Sequence, residues 1–228
     1  MVKNHKRYCV QKLALKNTKP FAEGVNRLCF IHPENNARCI KVVKEGSIAF
    51  LRSKRSFIKN LRSNSYFDDN LNEYNAYQQS AITKGGNRIY DHIPRCYGWQ
   101  ETDIGKGLVL DYYSQDNDKP CMTLEAYLKT NGLTPDIEEK LNELADYLRE
   151  TRLMTKNIIS HNVVIGPDGK LKIIDGIGAS SAFSIANFNN AAKKNYITRR
   201  VERMFLRVKW EVGDRKKSWK ETEKSGQL

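Results

Sequence analysis

The chain has 228 residues, of which 39% are hydrophobic and 29% are charged, and its formal net charge is +13 at pH 7. These proportions predict a soluble globular protein, either one large domain or two small lobes, and exclude a disordered chain. No run approaches the ~18 apolar residues of a membrane span, and the N-terminal segment lacks the apolar core of a signal peptide. We therefore expect a cytoplasmic protein.

The positive charge is concentrated at the two ends of the chain. Residues 1–62 contain 15 Lys/Arg against 3 Asp/Glu, residues 63–192 contain 12 against 18, and residues 193–228 contain 12 against 5. A basic surface favours an anionic partner such as a nucleotide, a nucleic acid, a lipid headgroup or an anionic glycan. It is equally typical of a solvated face that only maintains solubility. No nucleic-acid-binding motif is present, so a nucleic acid is the weakest of these candidates.

The cysteines predict neither a zinc site nor a redox pair. There are five of them, no two have the C-x-x-C spacing, and three lie in or beside apolar runs. We expect reduced thiols at all five positions: Cys9, Cys29, Cys39, Cys96 and Cys121.

The first half of the chain is mostly strand-like. The segments LCFIH and ARCIKVV flank a turn at residues 33–36 and predict a β-hairpin. Residues 47–81 mix charged and apolar residues without proline and predict helix. Two further strands, IPRCYGWQET and GKGLVLDYY, are separated by a turn at residues 103–107.

The second half is mostly helical. TLEAYLKTNG predicts a short helix with a Thr cap and a Gly stop, and residues 136–155 carry leucines at helical spacing. Near the end, an apolar stripe with basic residues between its members predicts a helix that either docks on the protein's own core or lies on an anionic membrane. We expect the final polar stretch, GDRKKSWKETEKSGQL, to fray. The stripe consists of Ile197, Val201, Met204, Phe205, Val208 and Val212.

The order of elements predicts an α+β fold with two lobes that meet near residues 110–114. The strand-rich lobe spans residues 1–112, and the helical lobe with its basic C-terminal helix spans residues 113–228.

A second hairpin is the most informative segment. In HNVVIGPDGKLKIIDG, two apolar strands flank a turn at residues 166–169. Pairing Ile165 with Lys170 places Asn162 opposite Ile173 and close to Asp175. Two oxygen ligands at one end of a hairpin suit Mg²⁺. Asn and Asp-Gly are also common turn residues, so a purely structural role is the alternative.

Lys41 is the second candidate for a functional residue. It lies in an apolar strand, where burial of a lone ammonium is costly, so it needs a partner such as Glu73 on the following helix. A solvent-facing lysine is the alternative. Upstream, a loop with the single glycine Gly24 offers backbone amides to a phosphate, although one glycine is a weak signal.

In chain order, these features resemble the protein-kinase-like fold. The resemblance is closer to one family, the PhoP regulatory network protein YrbL family. It is carried by EGVNRLCFIHPENNARCIKVV, IPRCYGWQETDIGKGLVLDYY, KPCMTLEAYL and IIDGIGAS, and it covers roughly residues 15–210.

The resemblance implies a role for each matching position. Lys41 would bind the α- and β-phosphates of ATP and pair with Glu73, and Gly24 with neighbouring amides would cover the phosphates. The backbone from Leu110 to Tyr112 would bind the adenine edge. The implied Mg²⁺ ligands are Asn162 and Asp175.

The chain also departs from the kinase pattern. A kinase has its catalytic Asp five residues before the metal-binding Asn, and here that position is Asn157. The lysine two residues later is replaced by Ile159. His161 is a candidate substitute base, with a structural histidine as the alternative. The glycine loop has Ala22 and Arg27 where the usual pattern has Gly.

The resulting hypothesis is an ATP- and Mg²⁺-dependent phosphotransferase with a reduced kinase-like fold. Its acceptor would be a glycan, a lipopolysaccharide-core sugar or another small anionic molecule, reached from the cytoplasm or from the inner membrane face. The alternative is a pseudokinase, a nucleotide-binding regulatory or scaffold protein without turnover. Retained phosphate and metal ligands favour nucleotide binding in both cases.

Overall fold

The structure is a computed structural model. It describes residues 12–53, 64–115, 119–156, 158–178, 189–215 and 217–225. The chain divides into two compact units, and the chain passes between them three times. The first unit consists of Met1–Asn72 with Cys96–Asp111, and the second of Glu73–Arg95 with Tyr112–Leu228.

The first unit is built on a five-stranded antiparallel sheet with the order β1-β2-β3-β5-β4. The predicted hairpin forms with a narrower turn than expected, since His32 already pairs with Asn35. The strands predicted around residues 103–107 also form, and Thr102 pairs with Gly105. The strands are β1 Ala22–Glu23, β2 Arg27–His32, β3 Asn35–Val43, β4 Cys96–Thr102 and β5 Gly105–Asp111.

One face of this sheet packs on a small core that includes Leu15, Phe30 and Ile40. The chain before β1 is held at the sheet edge, because Leu13 N donates to the Glu101 carbonyl at 3.0 Å. The Asp103 carboxylate accepts from Leu15 N at 2.7 Å, and this backbone hydrogen bond is the main cause of its lowered pKa. Residues 13–15 are therefore an integral part of the first unit.

The region predicted as one helical stretch, residues 47–81, contains several short helices. The helices in the described part of this region are α1 Ser47–Ser53, a 3-10 helix Asn64–Phe67, α2 Asp69–Ala76 and α3 Ser80–Thr83. The start of α2 is fixed by Asp68, whose Oδ1 accepts from Asn70 N at 2.9 Å and Leu71 N at 3.0 Å. Local capping of this kind favours separate short helices over one long helix.

The second unit contains the long helices and a small hairpin. The helix predicted after Thr123 is α4 Leu124–Asn131, capped by the Thr123 side chain and ended by Gly132 at φ 70°. The next, α5 Pro135–Thr151, ends earlier than predicted because Arg152 is left-handed at φ 55°. A 3-10 helix Asn87–Asp91 and the hairpin of β6 Val163–Ile165 and β7 Leu171–Ile173 complete this part.

The basic helix near the C-terminus, α6 Asn190–Val212, packs against α4 and α5. Of its predicted stripe, Ile197, Val201, Met204 and Val208 are buried, whereas Val212 is exposed. The apolar face therefore docks on the protein's own core. The alternative prediction, in which this stripe lies on a membrane, is wrong.

The expectation that the final polar stretch frays is wrong. Residues Trp219–Ser225 form α7, which packs against α6. The indoles of Trp210 and Trp219 meet edge to face with centroids 5.9 Å apart, and Arg203 pairs with Glu223 at 2.7 Å. Thr222 is buried. The tryptophan contact joins residues nine positions apart across a bend, so helical periodicity within either segment does not reveal it.

We expect Trp219→Ala to lower the free energy of unfolding by about 1–3 kcal/mol, because it removes an aromatic pair and the apolar area beneath it. Urea unfolding measures the change, with Lys220→Ala as the control at an exposed position of the same helix. An effect of Trp219→Ala no larger than that of Lys220→Ala would show that α7 contributes nothing to stability.

The predicted α+β class is confirmed by the antiparallel sheet of the first unit and the helices of the second. Among the described residues, Cys29, Cys39, Cys96 and Cys121 form no disulfide, and Cys9 lies outside that part of the chain. Within the described part of the chain, no helix is both long and apolar enough to cross a bilayer.

Candidate functional site

The hairpin of β6 and β7 holds the two predicted metal ligands, but its register differs from the predicted one. Ile165 pairs with Leu171, not with Lys170. Gly166 N donates to the Lys170 carbonyl at 2.8 Å, and Gly169 adopts φ 77°. A three-residue hairpin loop with a left-handed glycine accounts for the one-residue shift.

In this register the residue opposite Asn162 is Ile174, where the prediction had Ile173. Ile174 N donates to the Asn162 carbonyl at 2.9 Å, so the residue opposite Asn162 is the immediate neighbour of Asp175. Both side chains are half-buried. Asp175 Oδ1 accepts from Gly176 N at 2.7 Å. The hairpin therefore brings one amide and one carboxylate to the same end of a two-stranded ladder.

The donor set at this end of the hairpin fits Mg²⁺. Mg²⁺ prefers oxygen ligands and is usually held by one or two carboxylates together with substrate phosphates. Among the described residues, no group of three or more His, Cys, Asp or Glu side chains is arranged to hold a metal ion. Asn162 and Asp175 would supply two of the oxygen ligands of such an ion.

The catalytic-loop candidates lie just before the hairpin. Asn157 falls outside the described residues. Ile159 is half-buried, and its carbonyl accepts from Asn162 N at 2.8 Å. His161 is exposed in the middle of the 3-10 helix Ser160–Asn162. Its exposure is compatible with the predicted role as a base and gives no support to a structural role in a core.

In the first unit, Lys41 lies in β3 and is only 8% exposed. It is flanked across the sheet by Cys29 and Leu108. The Lys41 carbonyl accepts from Asn70 Nδ2 at 2.7 Å, which ties this strand to the start of α2. The alternative of a solvent-facing lysine is therefore wrong, and the ammonium is placed where burial makes its charge costly.

The other predicted nucleotide-binding residues occupy distinct places. Gly24 lies in the loop between β1 and β2, where its N donates to the Arg27 carbonyl at 2.9 Å. Leu110 is buried in β5, and Tyr112 follows that strand and is buried in the second unit. Glu73 belongs to the second unit and is 4% exposed. Its predicted pairing with Lys41 stays a prediction.

A groove of about 500 Å³ on the first unit is lined by none of these residues. It lies between the end of β3, the start of α2 and the outer strands, with Val43, Asn70, Trp99 and Lys106 among its lining. The groove has charged side chains of its own, among them Lys44, Glu45 and Asp68. The candidate functional residues are Asn162 and Asp175 in the second unit and Lys41 in the first.

His92 is an anchor of the hairpin that sequence reasoning missed. It is buried, its Nδ1 lies 2.7 Å from the Leu171 carbonyl, and its own carbonyl accepts from Ile173 N at 2.8 Å. The ring packs on Tyr147 with centroids 4.5 Å apart. A carbonyl only accepts, so Nδ1 carries the proton. No local pattern marks His92, because its partners are some 80 residues later in the chain.

Ser160 is a second missed anchor. Its hydroxyl donates to the carboxylate of Glu211 on α6, and both residues are buried. The neighbouring His161 and Asn162 were identified from the sequence by their residue types, whereas a single serine belongs to no recognisable pattern.

Comparison with known proteins identifies related sequences over most of the chain. The family model described as PhoP regulatory network protein YrbL matches residues 13–209. A protein of Escherichia coli (strain K12) named "Uncharacterized protein YrbL" is 26% identical over 207 residues, covering 86% of this chain and 85% of that protein. A Shigella flexneri protein of the same name matches with the same identity and coverage.

Proposed function

The chain belongs to the family described as PhoP regulatory network protein YrbL, and from this premise we propose that it is an ATP- and Mg²⁺-dependent phosphotransferase with a reduced kinase-like fold. Asn162 and Asp175 would hold Mg²⁺ in the second unit, and Lys41 would contact the α- and β-phosphates from the first. When bound, the ion would neutralise charge on the phosphates.

The observation that carries the proposal is the hydrogen bond between Ile174 N and the Asn162 carbonyl. It supports a role for Asn162 and Asp175 as a pair, because it aligns the two positions at one end of the hairpin. The position of Lys41 supports the same reading, because it lies in strand β3 of the first unit, and the phosphate-binding lysine of protein kinases also lies on a strand.

The acceptor we propose is an anionic small molecule, a glycan or a lipopolysaccharide-core sugar. The support is electrostatic, because the chain has 39 Lys/Arg against 26 Asp/Glu and its excess cations attract anions. The same charge would favour peripheral association with the inner membrane face.

Replacement of the catalytic carboxylate by Asn157 would slow the reaction without removing it. General acid–base catalysis typically contributes about 10²–10⁴-fold, whereas phosphoryl transfer relies mainly on positioning and charge stabilisation. We therefore expect slow turnover. His161, exposed beside Asn162, is the residue we propose as substitute base.

A thermal-shift titration with ATP, with and without Mg²⁺, tests the nucleotide site. Binding to the folded state alone stabilises it by about 2.7 kcal/mol at 100 times Kd. We expect a Mg²⁺-dependent rise in Tm for the wild type and its loss in Asp175→Ala. Asp136→Ala, which removes an exposed carboxylate of α5 paired with Lys140, is the control and should retain the rise. A wild type whose Tm does not respond to Mg²⁺ and ATP would contradict the proposal.

The second candidate function is a pseudokinase that binds nucleotide and acts on a regulatory partner. Asn157 and Ile159 favour it, and the family description places its namesake in a PhoP regulatory network. Release of phosphate from ATP, followed over hours at a high protein concentration, separates the two candidates. Tight Mg²⁺-dependent binding without any turnover in the presence of candidate acceptors would favour the pseudokinase.

A further inference from the structure

The turn that carries Asn162 is fastened to the C-terminal end of α6 by a buried polar contact. The Ser160 hydroxyl donates to Glu211 Oε2, and the two residues are 51 positions apart in the chain. Their exposures are 2% and 8%. A buried carboxylate is tolerated only when its oxygens are satisfied, so the contact depends on what else Glu211 touches.

Glu211 is held at three points. Its Oε1 accepts from Arg207 Nε at 2.6 Å, one helical turn earlier. Its main-chain carbonyl accepts from two nitrogens of Arg215, at 3.2 and 2.9 Å. With Oε2 occupied by Ser160, both carboxylate oxygens have partners. Glu211 is therefore a fixed point against which the turn can be positioned.

The 3-10 helix Ser160–Asn162 is consequently tied at both ends. Ser160 is bound to Glu211, and the Asn162 carbonyl is bound to Ile174 N. Only His161, between them, is exposed. With hydrogen bonds at both ends, the backbone of the turn, from which the Asn162 side chain extends, has little freedom to rotate.

We propose that Ser160 and Glu211 are positioning residues that orient Asn162 for Mg²⁺. The inference rests on the proposed function, since it assumes that Asn162 is a metal ligand. Removal of a group that positions a metal-binding residue commonly lowers the affinity for the metal by about 10–100-fold. The end of α6 thereby controls how well the hairpin holds its ion.

The test is the Mg²⁺ concentration that gives half of the ATP-induced rise in Tm. We expect Ser160→Ala to raise this midpoint about tenfold relative to the wild type. Because each variant is compared with its own Tm without ligand, a general loss of stability does not move the midpoint. Ser218→Ala is the matched control, since it also removes a serine-to-glutamate hydrogen bond, at 2.6 Å to Glu221 in α7, and should leave the midpoint unchanged.

Two substitutions of Glu211 distinguish an effect on the position of Asn162 from a loss of folding. They also provide a test if Ser160→Ala does not fold. Glu211→Gln keeps one acceptor oxygen for the Ser160 hydroxyl but turns an amide nitrogen toward Arg207, so it should raise the midpoint less than Glu211→Ala, which should raise it as Ser160→Ala does. A wild-type midpoint in folded Ser160→Ala or Glu211→Ala would overturn the inference. A wild type with no Mg²⁺-dependent response would instead overturn the proposed function.

Discussion

Lys41→Met is expected to abolish most of the response to ATP while the protein remains folded. Hydrogen bonds to charged groups contribute about 1.5–3 kcal/mol, so loss of the ammonium should weaken ATP binding about 10- to 100-fold. Methionine has a similar length and is apolar, which suits a position flanked in β3 by the buried Ile40 and Val42. Thermal-shift or calorimetric titration with Mg²⁺ and ATP measures the affinity.

The matched control for Lys41→Met is Lys106→Met. Lys106 lies on the adjacent strand β5 but is exposed, with its ammonium 5.1 Å from the Trp99 ring centroid. Lys106→Met removes a positive charge from the same sheet, so a general electrostatic effect on ATP affinity would appear in both variants. Unchanged ATP affinity in Lys41→Met, with a responsive wild type, would refute the role given to Lys41.

His92→Ala is expected to destabilise the protein by about 2–4 kcal/mol. It leaves the buried Leu171 carbonyl without its side-chain donor, at about 1–3 kcal/mol, and removes the aromatic contact with Tyr147, at about 0.5–1.5 kcal/mol. Urea unfolding measures the change. His92→Asn, whose Nδ2 can occupy the place of Nδ1, should recover part of the loss. Equal stabilities for His92→Ala and the wild type would show that this anchor does not hold the hairpin.

The same residue predicts a dependence of stability on pH. Burial is the main cause that lowers the pKa of His92 below 6.5, and the nearby Lys172 and Lys170 lower it further. Above pH 6.5 the ring is neutral in both the folded and unfolded states, so its contribution is fully present. As the pH falls below 6.5, the unfolded state binds the proton first, and stability declines. The stability difference between the wild type and His92→Asn should therefore shrink between about pH 7.5 and about pH 5.5. A constant difference would contradict the lowered pKa.

Helix caps and strand patterns were predicted correctly where the signal is local. Thr123 and Gly132 bound α4 as expected, because a cap and a left-handed glycine act within a few residues of the helix end. The two strand-like segments and the turn between them likewise predicted the first hairpin. The second hairpin was found, but its register was missed by one residue, since the conformation of Gly169 selects the loop and hydrophobicity alone does not.

Sequence patterns alone identify the α+β class, the order of the main elements, the family resemblance and the candidate residues Lys41, Asn162 and Asp175. The periodicities and turn residues that carry this information act over short stretches of chain. The folded structure was needed to show that Lys41 is buried, that α7 packs on α6, and that His92 and Glu211 anchor the hairpin and its preceding turn. The contacts of His92 and Glu211 join residues far apart in the chain, and that of α7 with α6 crosses a bend, so all of them depend on packing that no local pattern encodes.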